Sequence, residues 1–158
     1  MHTKARRFGA LERLIFSKRR KKEADFMSLN YIQSVPEAEA FAKKLAASAT
    51  PLQAYKEITQ WAKKNIVYDH IRAVKVVKNK DVYPDPKRCW EIRMGICSDI
   101  SALVVVMLRA VNIKAKMVVG WANSNYHAWV EAEIHGLKYR FDHSAGIKKP
   151  KYIAVKKY

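Results

Sequence analysis

Two cysteines, Cys89 and Cys97, are too few for a disulfide scaffold, so any role for them rests on thiol chemistry or packing. A thiol attacks an amide only as thiolate, and with an unperturbed pKa of ~8.5 it needs a base and an electropositive setting to do so at neutral pH. Cys97 follows Gly95-Ile96 and opens an apolar series, Ile100, Leu103, Val104, Met107, Leu108 and Val111, whose spacing predicts a helix with Cys97 in its first turn. There the oriented backbone N–H groups and the positive end of the helix dipole favour a thiolate and suit a developing oxyanion. Cys89 lacks the preceding glycine turn and is expected to be core or loop packing. The spacing of Cys89, Cys97, His70, His135 and His143 fits no preformed zinc set, so neither a metal nor another cofactor is expected.

A base and an acid come from the region after this helix. Asn112 suits the left-handed exit of the helix, Lys114 to Ala122 alternates as a strand, Asn123-Ser124-Asn125 turns, and Tyr126 to Ile134 forms the next strand. His135-Gly136 closes a two-residue hairpin into Leu137 to Asp142, which pairs Ile134 with Leu137. The register then sets Glu133 against Lys138 and Glu131 against Arg140 on one face, and Ala132 against Tyr139 and Val130 against Phe141 on the other. It also makes His127 and Asp142 diagonal cross-strand neighbours, roughly 5 to 8 Å apart at the backbone. A bulge at Gly136 would break that arrangement. His127 is thus placed to pair with Cys97 and protonate a leaving group, and Asp142 to fix the imidazole tautomer.

Gly95-Ile96-Cys97-Ser98-Asp99, Leu108-Arg109-Ala110-Val111-Asn112-Ile113, His127-Ala128-Trp129-Val130-Glu131 and Phe141-Asp142 together resemble the transglutaminase-like superfamily, in the chain order Cys, His, Asp. The resemblance covers about residues 50 to 145. It implies an α+β, papain-like fold in which a Cys-bearing helix packs on an antiparallel sheet that carries the His and Asp. It also implies acyl-thioester chemistry on an amide, with Cys97, His127 and Asp142 as the triad. Asn112 stands where the family usually has Gly, and His143-Ser144 where Pro is common. Trp129 and Trp121 read first as cleft-wall or core aromatics, Trp90 and Trp129 are the weaker candidates for a substrate-facing role, and Trp90 and Trp61 the candidates for an auxiliary oxyanion side chain.

The helical N-terminal half has its own start signals. Ser34-Val35-Pro36-Glu37 reads as a capping box opening a helix to about Ser48, and Thr50-Pro51-Leu52-Gln53 as a second, with Leu52, Tyr55, Ile58 and Ala62 buried and Asn65 at its end. Ile66-Val67-Tyr68 begins an extended stretch, and Asp69 to Pro86 reads as a short strand and loops. Arg88 to Met94 reads as a short helix stopped by Gly95.

A chain of 158 residues, 49% hydrophobic, suffices for one core, and its composition divides into a basic arm (1–30) and a catalytic domain (31–158). Phe8, Leu11, Leu14 and Ile15 give the arm helical spacing, for an amphipathic helix on a partner, an anionic membrane or the domain, or else a solvated tail. The net charge of +17 admits an anionic polymer or surface as a partner, with a solvated basic surface as the alternative. Lys148-Lys149-Pro150-Lys151 and Lys156-Lys157 read as solvated surface. No stretch suits a membrane span and no secretory h-region opens the chain, which points to the cytoplasm. Three functions follow: hydrolysis of peptide or protein amides, acyl transfer to an amine by the same triad, or a non-catalytic basic binding module on this fold. Oligomeric state is left open.

Overall fold

A computed structural model describes residues 32–77, 83–123, 125–143 and 151–158; the basic arm and Lys148 to Pro150 lie outside them. Among the described residues are helices α1 (Pro36–Leu45), α2 (Pro51–Asn65), α3 (His70–Val77), α4 (Pro86–Ile92) and α5 (Cys97–Ala110). The strands are β1 (Val67–Tyr68), β2 (Met94–Gly95), β3 (Lys114–Ala122), β4 (Asn125–Ile134), β5 (Leu137–Phe141) and β6 (Tyr152–Lys157). An antiparallel sheet runs β5-β4-β3-β6, and β1 and β2 form a short parallel pair. The architecture is α+β, as expected.

The Thr50 capping box forms as predicted, with Thr50 N–H donating to Gln53 Oε1 at 2.9 Å and Gln53 N–H to Thr50 Oγ1 at 3.4 Å. The Ser34 box does not. Pro36 bars the preceding residue from helical backbone, so Val35, at φ −131° and ψ 86°, becomes the cap. Ser34 instead donates its hydroxyl to Glu39, and α1 ends at Leu45 rather than Ser48. The Asp69 to Pro86 stretch also departs from expectation, because it contains α3. Asp69 Oδ1 accepts the Arg72 N–H at 2.8 Å and starts that helix, overriding the β-branched residues that suggested a strand.

Helix α4 stops at Arg93, not Gly95. Arg93 takes the left-handed conformation at φ 57°, its guanidinium centred 3.7 Å from the Trp90 ring and 5.0 Å from that of Trp61. Gly95 serves close packing: a Cβ there would stand 2.8 Å from Cys89 Sγ and 2.9 Å from Asp99 Cβ. Helix α5 is buried from Ser98 to Leu108, as its all-round apolar sequence requires, and packs on β3 and β4 and against α1, α2 and α4. It exits through Asn112 at φ 60°, as predicted.

The β4–β5 register is the one the sequence demands, Ile134 with Leu137 through Val130 with Phe141, without a bulge. His135 at φ 51° and Gly136 at φ 77° supply the two left-handed positions of a type I′ turn. Lys157 is exposed, in keeping with a surface position, but the region is also a strand that the sequence did not announce: Tyr152–Lys157 pairs with β3, and the Lys157 ammonium pairs with Glu131. Its pairing partner lies far back in sequence, so the lysines dominated the local reading.

Candidate active site

The first turn of α5 is fixed by a buried carboxylate. Asp99, 1% exposed, accepts the Ile96 N–H at 3.0 Å and Arg72 Nε at 2.7 Å on Oδ2, and the Asp85 N–H at 2.8 Å on Oδ1. Arg72 Nη2 also donates to the Tyr83 carbonyl at 2.8 Å. Asp69 extends the network by accepting Arg88 Nη2 at 2.9 Å. Helix α3, helix α4 and the Tyr83 to Asp85 segment between them are thereby tied to the turn that begins with Cys97. Cys97 is partly exposed there, whereas Cys89 is buried beneath Gly95. Burial, reinforced by the Asp99 carboxylate, pushes the Cys89 thiol up to about 12.

His127 and Asp142 meet across the hairpin, with His127 Nε2 2.9 Å from both Asp142 carboxylate oxygens. The imidazole is 7% exposed, and burial opposes its charge; hydrogen bonds with Asp142 and Cys97 outweigh that and raise its pKa to about 10. His127 thus bonds Asp142 and interacts with Cys97, which links the three residues singled out by sequence in the order Cys97, His127, Asp142.

Two tyrosines that the sequence reading passed over flank this trio. Tyr68 pairs in register with Gly95, so its side chain projects on the face where Asp99 and Ile100 of the α5 first turn crowd Gly95. Burial, then the neighbouring Cys97 and Asp99, raise the Tyr68 hydroxyl to about 12, so it remains a donor. Tyr152 donates its hydroxyl to Asp142 Oδ2 at 2.7 Å and is likewise raised to about 12, by burial and by that carboxylate. The cue for Tyr68 is its place before the Asp69 cap; nothing local announces Tyr152.

The tryptophans fall elsewhere. Trp129 is 0% exposed and has no surface to offer a substrate; it backs the site, with ring centroids 6.4 Å from His127 and 4.8 Å from Tyr152. Its position opposite Val118 in the centre of the sheet accounts for that burial. Trp90 and Trp61 stack with Phe41 and Arg93 in a cluster of their own. His143 Nε2–H donates to the Ile66 carbonyl at 2.9 Å, and burial lowers its pKa. A cleft of about 290 Å³ lies beside α3 and α4, lined by Asp69, Ile71, Arg72, Lys75, Arg88 and Met94 rather than by the trio.

The family model of the transglutaminase-like superfamily matches residues 39–142, the span that contains this geometry. The chain belongs to the transglutaminase-like superfamily. Membership supports a cysteine-dependent enzyme of the hydrolase or acyltransferase kind. Solved structures share the superfamily fold: a candidate cysteine protease from Cytophaga hutchinsonii has TM-score 0.63 and 21% identity, over 82% of this chain and 46% of that one. A candidate protease from Parabacteroides distasonis has TM-score 0.57 and 18% identity, over 70% and 23%. A TGase has TM-score 0.55 and 21% identity, over 86% and 39%. The chain spans less than half the length of each of these proteins. No curated protein matches it. No described helix is long and apolar enough to cross a membrane.

Proposed function

We propose that the protein is a cysteine hydrolase of peptide or protein amide bonds, with Cys97 as nucleophile, His127 as acid and base, and Asp142 as the group that orients His127. The observation that carries this reading is the two-oxygen contact of Asp142 with His127 Nε2 at 2.9 Å, on an imidazole that also interacts with Cys97. Cys97 Sγ attacks the amide carbonyl carbon, and His127 holds the thiol proton and delivers it to the departing amine. The product is an acyl-thioester on Cys97 and a free amine. Water, deprotonated by His127, then attacks the thioester carbon, releasing the acid and restoring the thiol.

The developing oxyanion is received by first-turn N–H groups of α5 and by the Tyr68 hydroxyl, which replaces Trp90 and Trp61 as the side-chain donor in this reading. Residues 31–158 form the catalytic domain and 1–30 a separate basic arm. The net charge of +17 is consistent with an anionic partner or substrate segment.

Acyl transfer to an amine uses the same trio and differs only in what reaches the thioester. Incubating the protein with casein and dansylcadaverine separates the two. Hydrolysis yields new peptide termini without fluorescence in the casein band; fluorescent casein without cleavage assigns acyl transfer. Neither product from the wild type, with both absent also from Cys97→Ala, assigns a binding module instead.

A further inference from the structure

Strand β6 lies beyond the residues 39–142 that the family model matches, and the chemistry assigned above makes no use of it. Its register is nonetheless unusual. Val119 pairs with Lys156, but the next residue, Gly120, pairs with Ala154, so Val155 is an extra residue and the ladder shifts by one.

That shift decides which way Tyr152 points. Paired residues project to the same face, and alternate residues of a strand share a face. Gly120 pairs with His127, Ala122 lies two residues from Gly120, and Tyr152 pairs with Ala122. Tyr152 therefore shares a face with His127, and with Trp129 through Val118. Without the bulge, Tyr152 would fall opposite Asn123 and project to the other face, away from Asp142. Gly120 makes the bulge sterically feasible, because a Cβ there would lie 2.1 Å from the Ile153 carbonyl oxygen and 3.0 Å from Ala154 Cα.

We propose that Tyr152 is a positioning residue for Asp142, brought to it by the Gly120 bulge, so that β6 is part of the active site; this rests on the triad reading above. Asp142 straddles His127 Nε2 with both oxygens at 2.9 Å, a pose set by rotation of the carboxylate about its own bond. The Tyr152 hydroxyl, at 2.7 Å from Oδ2, fixes that rotation. The hydroxyl is itself fixed, since its ring packs on Trp129 at 4.8 Å and lies under the Arg140 guanidinium at 4.1 Å. The ionisable groups around the pair are Cys97 on α5, Arg140 on β5, Tyr152 on β6 and His143 beside Asp142.

Tyr152→Phe keeps the ring and its packing and removes only the hydroxyl. In the full chain it is expected to slow iodoacetamide alkylation of Cys97 by about tenfold, the order of effect of one hydrogen bond to a charged group. It is also expected to lower the His127 titration midpoint, followed by NMR of the ring protons, by about one pH unit, since a carboxylate that turns away supports the imidazolium less. Gly120→Ala, which retains the hydroxyl chemically but displaces the β6 strand that carries it, should give the same two changes. If Asp142→Asn slows Cys97 while Tyr152→Phe leaves both the rate and the titration at their wild-type values, Tyr152 merely packs and the proposal fails. If His127→Ala and Asp142→Asn also leave the rate unchanged, it is the triad reading that has failed, and the role of Tyr152 with it.

Discussion

Arg72 and Asp99, 27 residues apart, meet through Nε and Oδ2 at 2.7 Å with both side chains buried, and this pair locks the turn that presents Cys97. Asp99 serves two backbone N–H groups as well, so its removal takes the carboxylate from a buried guanidinium and the acceptor from two donors together. Asp99→Ala is expected to cost about 3 to 5 kcal/mol in urea unfolding, the usual effect of breaking a buried ion pair. A loss below about 1 kcal/mol would mean that the turn is held by packing alone.

The two thiols should part company toward alkylating agents. Cys97 is partly exposed and touches His127, whereas Cys89 is buried with its pKa pushed up to about 12. At pH 7, peptide mass spectrometry after iodoacetamide should find Cys97 modified and Cys89 intact in the folded protein. His127→Ala should slow Cys97 by about 10- to 100-fold. Equal rates at both cysteines would remove the basis for a nucleophile.

Tyr68 admits a test that separates oxyanion binding from thiol activation. Alkylation develops no tetrahedral oxyanion, whereas amide cleavage does. Tyr68→Phe should therefore lower amide turnover by about 10- to 100-fold and leave the iodoacetamide rate of Cys97 near that of the wild type. A parallel fall in both rates would assign Tyr68 to supporting Cys97 instead.

The raised His127 also makes a statement about stability. Its folded pKa of about 10 lies above the ordinary ~6.5, so its contribution is complete below about pH 6.5 and is lost as the pH climbs toward about 10. Unfolding free energies from urea titrations between pH 6 and 10 should fall with rising pH, by on the order of a few kcal/mol in total. His127→Gln should flatten most of that slope. A wild-type profile that is flat over this range would show that the imidazole is not held charged.

The sheet half of the site was legible because its rules are local. A His-Gly pair between alternating runs fixes a type I′ turn, that turn fixes the register, and the register brings His127 to Asp142. Helix α5 announced itself through unbroken apolar spacing, and Thr50 through a capping box that formed as written. The failures share a different cause. Pro36 moved the cap from Ser34 to Val35, and Asp69 turned a β-branched run into helix α3, each a single neighbour outweighing the pattern. Arg93 ended α4 in the left-handed conformation with its guanidinium against Trp90 and Trp61, the second of them on α2 and out of reach of a local reading. Tyr68 and Tyr152 reach the site through pairings with distant strands, β2 and β3, and such pairings are not written in the residues beside them.

The hairpin also dictates where this chain can change in length. Deleting one residue between Leu137 and Phe141 would turn Asp142 to the face opposite His127, and deleting two would keep the face but displace the carboxylate by roughly 6.8 Å along the strand. The His135-Gly136 tip is at the far end of the same ladder, with Leu137 exposed beside it. Residues added there lengthen a surface loop, and the cross-strand pairs from Ile134 with Leu137 to Val130 with Phe141 remain to hold the register, so that tip is the place to graft a tag or a reporter.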